Sequence, residues 1–162
     1  MTQIIGTITR DYAMLASDRR LTFISGPRKG EPAEDDECKL VNLCNICGIG
    51  YTGLARIEEM PTHEWIGKRL AEKACCDPGN AAMILMDEAN RALAKMPLPI
   101  EQSFLSAGWG LLPDRKTLRP HFRLVTNAKD AVCKPLAEPG SEFNSFLLSL
   151  KDDEDLLMSV IG

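Results

Sequence analysis

Short apolar runs separated by polar turns open the chain. Gln3 to Ile8 and Tyr12 to Ala16 flank Thr9-Arg10-Asp11, whose polar character and spacing predict a hairpin, so the chain begins in a sheet. A third run, Leu21 to Ile24, leads into GPRKGEPAEDDE, which is rich in Gly, Pro and acid and has no apolar period; it predicts an exposed loop. Lys39 to Leu43 and Ile46 to Tyr51 predict a second strand pair. From Leu54 the spacing turns helical, with Ile66, Leu70 and Ala74 in one stripe, Pro61 resetting the start and Cys75 to Gly79 ending it. Asn80 reads as the N-cap of a second helix, in which Leu85, Ala89, Ala92 and Met96 share a face before Pro97 and Pro99 stop it. Ser103 to Leu112 and His121 to Thr126, joined by PDRKTLRP, predict another strand pair. Ser141 to Leu150 and Asp152 to Ile161 predict short helices, the second with acids in its first turn where the helix dipole favours them. The order strands, two helices, strands, helices predicts a layered α+β fold with helices packed on sheet.

Composition narrows the function classes. A chain of 162 residues is long enough for one domain with a sizeable core, and 44% apolar with 26% charged residues is the balance of a soluble globular protein. The net charge of −4, with no basic tail or arginine stripe, argues against a nucleic-acid partner. No window approaches the roughly 18 apolar residues of a membrane span, and MTQIIGTITRDY lacks the pattern of a secretory signal, so a cytoplasmic protein without a membrane partner is expected. Without secretion the six cysteines are expected as reduced, buried and inert thiols. Cys44 and Cys47 form a C-x-x-C, but with Cys38 they make an incomplete zinc set, so no metal and no cofactor is expected. His63 and His121 have no partner close in sequence and are not favoured as bases.

Threonine at position 2 carries the main chemical signal. An amino-terminal threonine is nucleophile and base at once: its hydroxyl attacks while its own α-amine, with a pKa of about 7.7 to 8.0, accepts the proton. This requires removal of Met1. The segment TQIIGTITRDYAMLASDRRLT runs from Thr2 through an apolar strand, a turn and a second strand ending in Ala16-Ser17-Asp18-Arg19-Arg20-Leu21-Thr22. It resembles the opening hairpin of proteasome β subunits and their bacterial ring-peptidase relatives, with Asp18 at the family distance from Thr2. Lys39-Leu-Val-Asn-Leu, followed by Gly48-Ile-Gly-Tyr-Thr-Gly53, resembles the family's catalytic-lysine strand and its glycine turn into the first helix. Ala107-Gly108-Trp109 stands where the family has an Ala-Gly strand motif.

The resemblance implies an Ntn-hydrolase-like αββα sandwich over residues 1–162, with antiparallel sheets flanked by helices. The likeness runs to about Leu150, and the chain reaches Gly162 before the family's later helices and final strand pair, so a fold truncated at the C-terminus is expected. Implied roles are Thr2 as nucleophile, Lys39 as its electrostatic partner, Asp18 as the carboxylate holding Lys39, and the Gly53 N–H as oxyanion donor. Ser141 would assist the amine, and Arg20 and Thr22 would line the substrate groove. The resemblance implies a threonine-type amidohydrolase acting on peptide or protein substrates, assembled as a homo-oligomer in a ring or stacked rings, with room for an ATPase partner. The alternative is a noncatalytic proteasome-like scaffold or assembly subunit.

Overall fold

β1 (Ile4–Ile8) and β2 (Ala13–Ser17) form the predicted hairpin, in register from Ile4 opposite Ser17 to Ile8 opposite Ala13. Its turn is closed by the Thr9 N–H on Tyr12 O (2.9 Å), while Thr9 Oγ1 accepts from the N–H groups of Asp11 and Tyr12, the local bonding for which Thr suits a turn. The computed structural model describes residues 3–19, 21–22, 27–28, 31–34, 37–73, 75, 77–93, 100–112, 114 and 116–161. The chain continues through β3 (Leu21–Thr22) and β4 (Pro32–Glu34), which pair with each other. Pro32–Glu34 is therefore strand inside the segment predicted as loop.

β5 (Leu40–Leu43) and β6 (Cys47–Thr52) follow, joined by a tight turn in which Cys44 and Asn45 both have positive φ (53° and 58°). Asn tolerates that region, and the Asn45 N–H donates to Asn42 Oδ1 at 3.0 Å. A small hairpin of β7 (Arg56–Ile57) and β8 (Met60–Pro61) stands where helical spacing was predicted from Leu54, and α1 spans Thr62–Glu72 with Pro61 at its N-cap.

α2 spans Pro78–Leu93. Its cap is Asp77, not Asn80: Asp77 Oδ1 accepts from the N–H groups of Gly79 (2.9 Å) and Asn80 (3.0 Å), with Pro78 in the first turn where its missing N–H costs nothing. Asp77→Ala is expected to destabilise the fold by about 1 kcal/mol, the usual worth of such a cap, measured as a lower midpoint in urea.

The remaining elements of the described chain are strands: β9 (Ser103–Leu111), β10 (Leu118–Thr126), β11 (Asn144–Leu148) and β12 (Leu157–Ile161). The last two correct the prediction of helices over Ser141 to Leu150 and Asp152 to Ile161. β11 pairs with β10 and β12 with β1, both antiparallel, so each short apolar run is held by a ladder rather than by its own periodicity.

These pairings give an α+β fold with two helices among the described residues and antiparallel sheets, the larger ordered β11-β10-β9-β6-β5 and the smaller β12-β1-β2. One face of the five-stranded sheet packs on the helices through Trp65, Ile66, Leu85, Phe104 and Val125. The other packs on the three-stranded sheet through Ile4, Ile8, Leu105, Phe122 and Leu124. Alternation along the strands sends Ile5, Met14, Met158 and Val160 to the outer face of the smaller sheet, where all four are exposed. Among the described residues, no helix is long and apolar enough to cross a membrane.

Candidate functional site

The small sheet delivers Asp18 to one end of the sandwich. β2 ends at Ser17, and the Asp18 N–H still donates to Gln3 O at 3.3 Å, so Asp18 lies opposite the residue that follows Thr2. The large sheet delivers Lys39 to the same end. Lys39 sits just ahead of β5, and its carbonyl accepts the Tyr51 N–H at 3.2 Å, which ties it to the end of β6.

Lys39 is 1% exposed, and its Nζ donates to Asp18 Oδ1 at 2.6 Å, while the Asp18 side chain is 39% exposed. An ammonium this deep is tolerated only with charged or polar partners, and the short charge-assisted bond supplies one. The resemblance to proteasome β subunits implied this pair, and the structure brings its members into contact.

Gly53 closes the same end. It has φ +103°, and a Cβ there would lie 2.3 Å from Glu101 O and 2.5 Å from Gln102 Oε1, so glycine is needed both for backbone angle and for space. Gln102 Oε1 also accepts the Leu54 N–H at 2.6 Å, pinning the turn just after Gly53. The Gln102 N–H donates to Asn127 Oδ1 (2.9 Å), and Asn127 Nδ2 donates to Ile100 O (2.9 Å) and Gly140 O (3.1 Å). Thr52, Gln102, Ser103, Thr126 and Asn127 are all buried here, so this end of the sandwich has a polar interior. Gln102 Nε2 is buried without a hydrogen-bond partner among the described residues.

Ser141 follows Gly140 in an exposed bend at this end of β10, held there through Asn127. No hydrogen bond joins Ser141 to Asp18 among the described residues. Thr2 and Arg20 lie outside the described residues, and Thr22 is described only as backbone of β3, paired with Pro32.

Reading the sequence missed Gln102 and Asn127, whose partners lie on other strands. It also left His63 without a partner. His63 Nδ1 lies 3.2 Å from Glu37 Oε1, which accepts the Tyr51 hydroxyl at 3.0 Å, two residues ahead of Lys39. Burial first, then the Glu37 bond and charge, raise the Tyr51 phenol well above its usual range, so it stays a donor.

His121 is buried elsewhere, on β10 beside Pro78 and Gly110. Burial is the largest effect and lowers its pKa; the bond to Arg119 O opposes it, and Arg123 (lowering) and Asp77 (raising) contribute less. The fold therefore holds the neutral ring, so stability is full above the free imidazole pKa of about 6.5 and is lost as pH falls through the lower folded value. Thermal melts at pH 7 and pH 5 should show a smaller acid-side loss in His121→Phe than in the wild type; equal losses would refute the assignment.

The cysteines are not uniformly buried as predicted: Cys38, Cys44 and Cys133 are exposed, Cys75 is half-buried and Cys47 is buried. Burial, reinforced by Cys75 and Asp77, pushes the Cys47 thiol up to about 12, so it is unreactive at neutral pH. Among the described residues no group of three or more His, Cys, Asp or Glu side chains is placed to hold a metal ion. No protein-family model matches the chain, and no curated protein matches it.

Proposed function

We propose that this chain is a threonine-type N-terminal-nucleophile hydrolase that cleaves amide bonds, with Thr2 as nucleophile once Met1 is removed and an αββα-type fold of the proteasome β-subunit kind. The observation that carries the reading is the buried Lys39 ammonium held by Asp18, opposite the residue next to Thr2. Thr2 Oγ attacks the carbonyl carbon as its proton passes to the Thr2 α-amine. The tetrahedral adduct expels the leaving amine, which takes that proton, and water then hydrolyses the ester. Lys39 favours the developing negative charge and lowers the pKa of proton donors near it, and Asp18 fixes its position. The Gly53 N–H receives the oxyanion, Ser141 assists the amine, and Arg20 and Thr22 line the groove for a peptide substrate. The active form is a homo-oligomeric ring, with room for an ATPase partner.

The test is intact mass after incubation with a peptidyl epoxyketone, an electrophile that needs both the hydroxyl and the free amine of an amino-terminal threonine. One adduct is expected on the Met1-free wild type and none on Thr2→Ala. An unlabelled Met1-free wild type would sink the reading.

A second reading, a noncatalytic scaffold or assembly subunit, is favoured by the outer face of the three-stranded sheet. Ile5, Met14, Met158 and Val160 are exposed there beside Thr7 and Ala16, with no charge among the six. In that case Thr2 takes no label while oligomers form.

A further inference from the structure

At the end of the sandwich opposite Asp18 and Lys39, the two sheets do not close on each other. A cavity of about 420 Å³ opens between the start of β2, the β5–β6 turn and the end of β9. Its position is set by small residues on the faces the sheets turn towards each other: Ala13 on β2, Gly48 on β6 and Ala107 on β9. Larger side chains at these positions would extend the core already formed by Ile4, Ile8, Leu105 and Phe122.

Gly48 is the informative member. Neighbouring glycines are required by packing: a Cβ on Gly50 would meet Ile4 Cγ2 at 2.7 Å, and one on Gly108 would meet Ile46 O at 2.4 Å. A Cβ on Gly48 would meet only Leu15 Cδ1, at an ordinary 3.5 Å, and Gly48 has no positive φ. Neither backbone angle nor crowding demands glycine there, although glycine weakens a strand interior. Glycine inside a strand often marks a site where a ligand or another backbone comes close.

The walls specify what approaches. Tyr12 and Trp109 stand at the rim, 51% and 41% exposed, and offer aromatic faces. Among the described residues no charged side chain borders the cavity, in a chain of which 26% is charged. The polar groups at the rim are Asn42 and Asn45, locked by the Asn42 Nδ2 bond to Asn45 Oδ1 at 2.8 Å. On the other side of Trp109 a smaller cavity is bordered by Arg10, Arg119, Lys151 and Asp152, with Arg119 on Asp152 at 3.0 Å, so the change in character across Trp109 is sharp.

We propose that this inter-sheet cavity is a binding site for a small neutral aromatic molecule, its ring inserted over Gly48 between Tyr12 and Trp109. Volume and lining match those of small-molecule clefts, which are mostly apolar with a few fixed polar groups. The site shares no residue with Asp18, Lys39 or Gly53, so it stands or falls independently of the hydrolase reading.

The test is fluorescence titration of the full chain with neutral N-phenyl-1-naphthylamine and with anionic 1-anilinonaphthalene-8-sulfonate. Saturable binding of one neutral probe per chain is expected, with the anion about tenfold weaker because nothing in the lining offsets its charge. Gly48→Val fills the floor and should weaken the neutral probe by about tenfold or more with the melting temperature preserved. Ala13→Leu fills the same space from the other sheet and serves where Gly48→Val fails to fold, and Trp109→Ala removes a wall from an exposed position. Unsaturable uptake, equal affinity for the two probes, or wild-type affinity in the folded filling variants would overturn the proposal.

Discussion

Lys39→Met is expected to abolish epoxyketone labelling at Thr2, by about 10² to 10³ in rate, while leaving the protein as stable as the wild type or more so. The two halves of the pair are unequal. Lys39 is 1% exposed, and methionine of similar length removes the cost of holding a charge in the interior; the Asp18 left behind is 39% exposed and is solvated directly. Asp18→Ala is the reverse case, because the ammonium stays buried and loses its carboxylate. Breaking a buried pair this way costs about 3–5 kcal/mol, and solvent access at Asp18 reduces that to about 1–3 kcal/mol. Urea unfolding of the two variants separates these effects. If Lys39→Met labels like the wild type, the lysine belongs to the fold and not to the chemistry.

The second large effect is at Gly53. Alanine there is forced to a φ near +103° and brings Cβ within 2.3 Å of Glu101 O, which is backbone and cannot swing away. Strain and overpacking together should cost about 2–5 kcal/mol, and the turn held by the Gln102 bond to Leu54 should shift. Labelling of Thr2 should fall in whatever fraction remains folded. Gly67→Ala is the matched control: Gly67 lies within α1 with nothing within 4 Å of its built Cβ, and alanine there should stabilise by about 0.5–1 kcal/mol. A Gly53→Ala midpoint in urea within error of the wild type would show that the turn adapts.

The opening hairpin was legible in the sequence because local alternation sets it, whereas the Asp18–Lys39 pair was implied only by the resemblance of the flanking motifs to proteasome β subunits. Asp77 was also legible in principle. Asp-Pro-Gly-Asn carries the signature of a cap followed by proline in the first turn, and Asn80 was read in its place. β11 and β12 were not legible as strands. NSFLL and LMSVI are too short for a helical and a strand period to differ, and what decides them is pairing with β10 and with β1 far back in the chain. Gln102 and Asn127 escaped for a related reason: a buried amide looks like any polar loop residue until the backbone groups that satisfy it are seen. Two of the exposed cysteines, Cys44 and Cys133, occupy positive φ (53° and 66°) outside the strands, which no spacing in the sequence announces.

The placement of β1 has a consequence for how the chain assembles. β1 is the centre of its sheet, with one neighbour supplied at once by β2 and the other only by β12, Ile4 lying opposite Ile161. During synthesis the hairpin forms early, yet one of its edges presents open N–H and C=O groups until Leu157–Ile161 has emerged. Closing so long a loop is entropically costly and slow, so the seating of β12 on β1 belongs late in folding. The strand that leads back to Thr2 is thus made first and secured last, and for that interval its edge is open to pairing with other nascent chains.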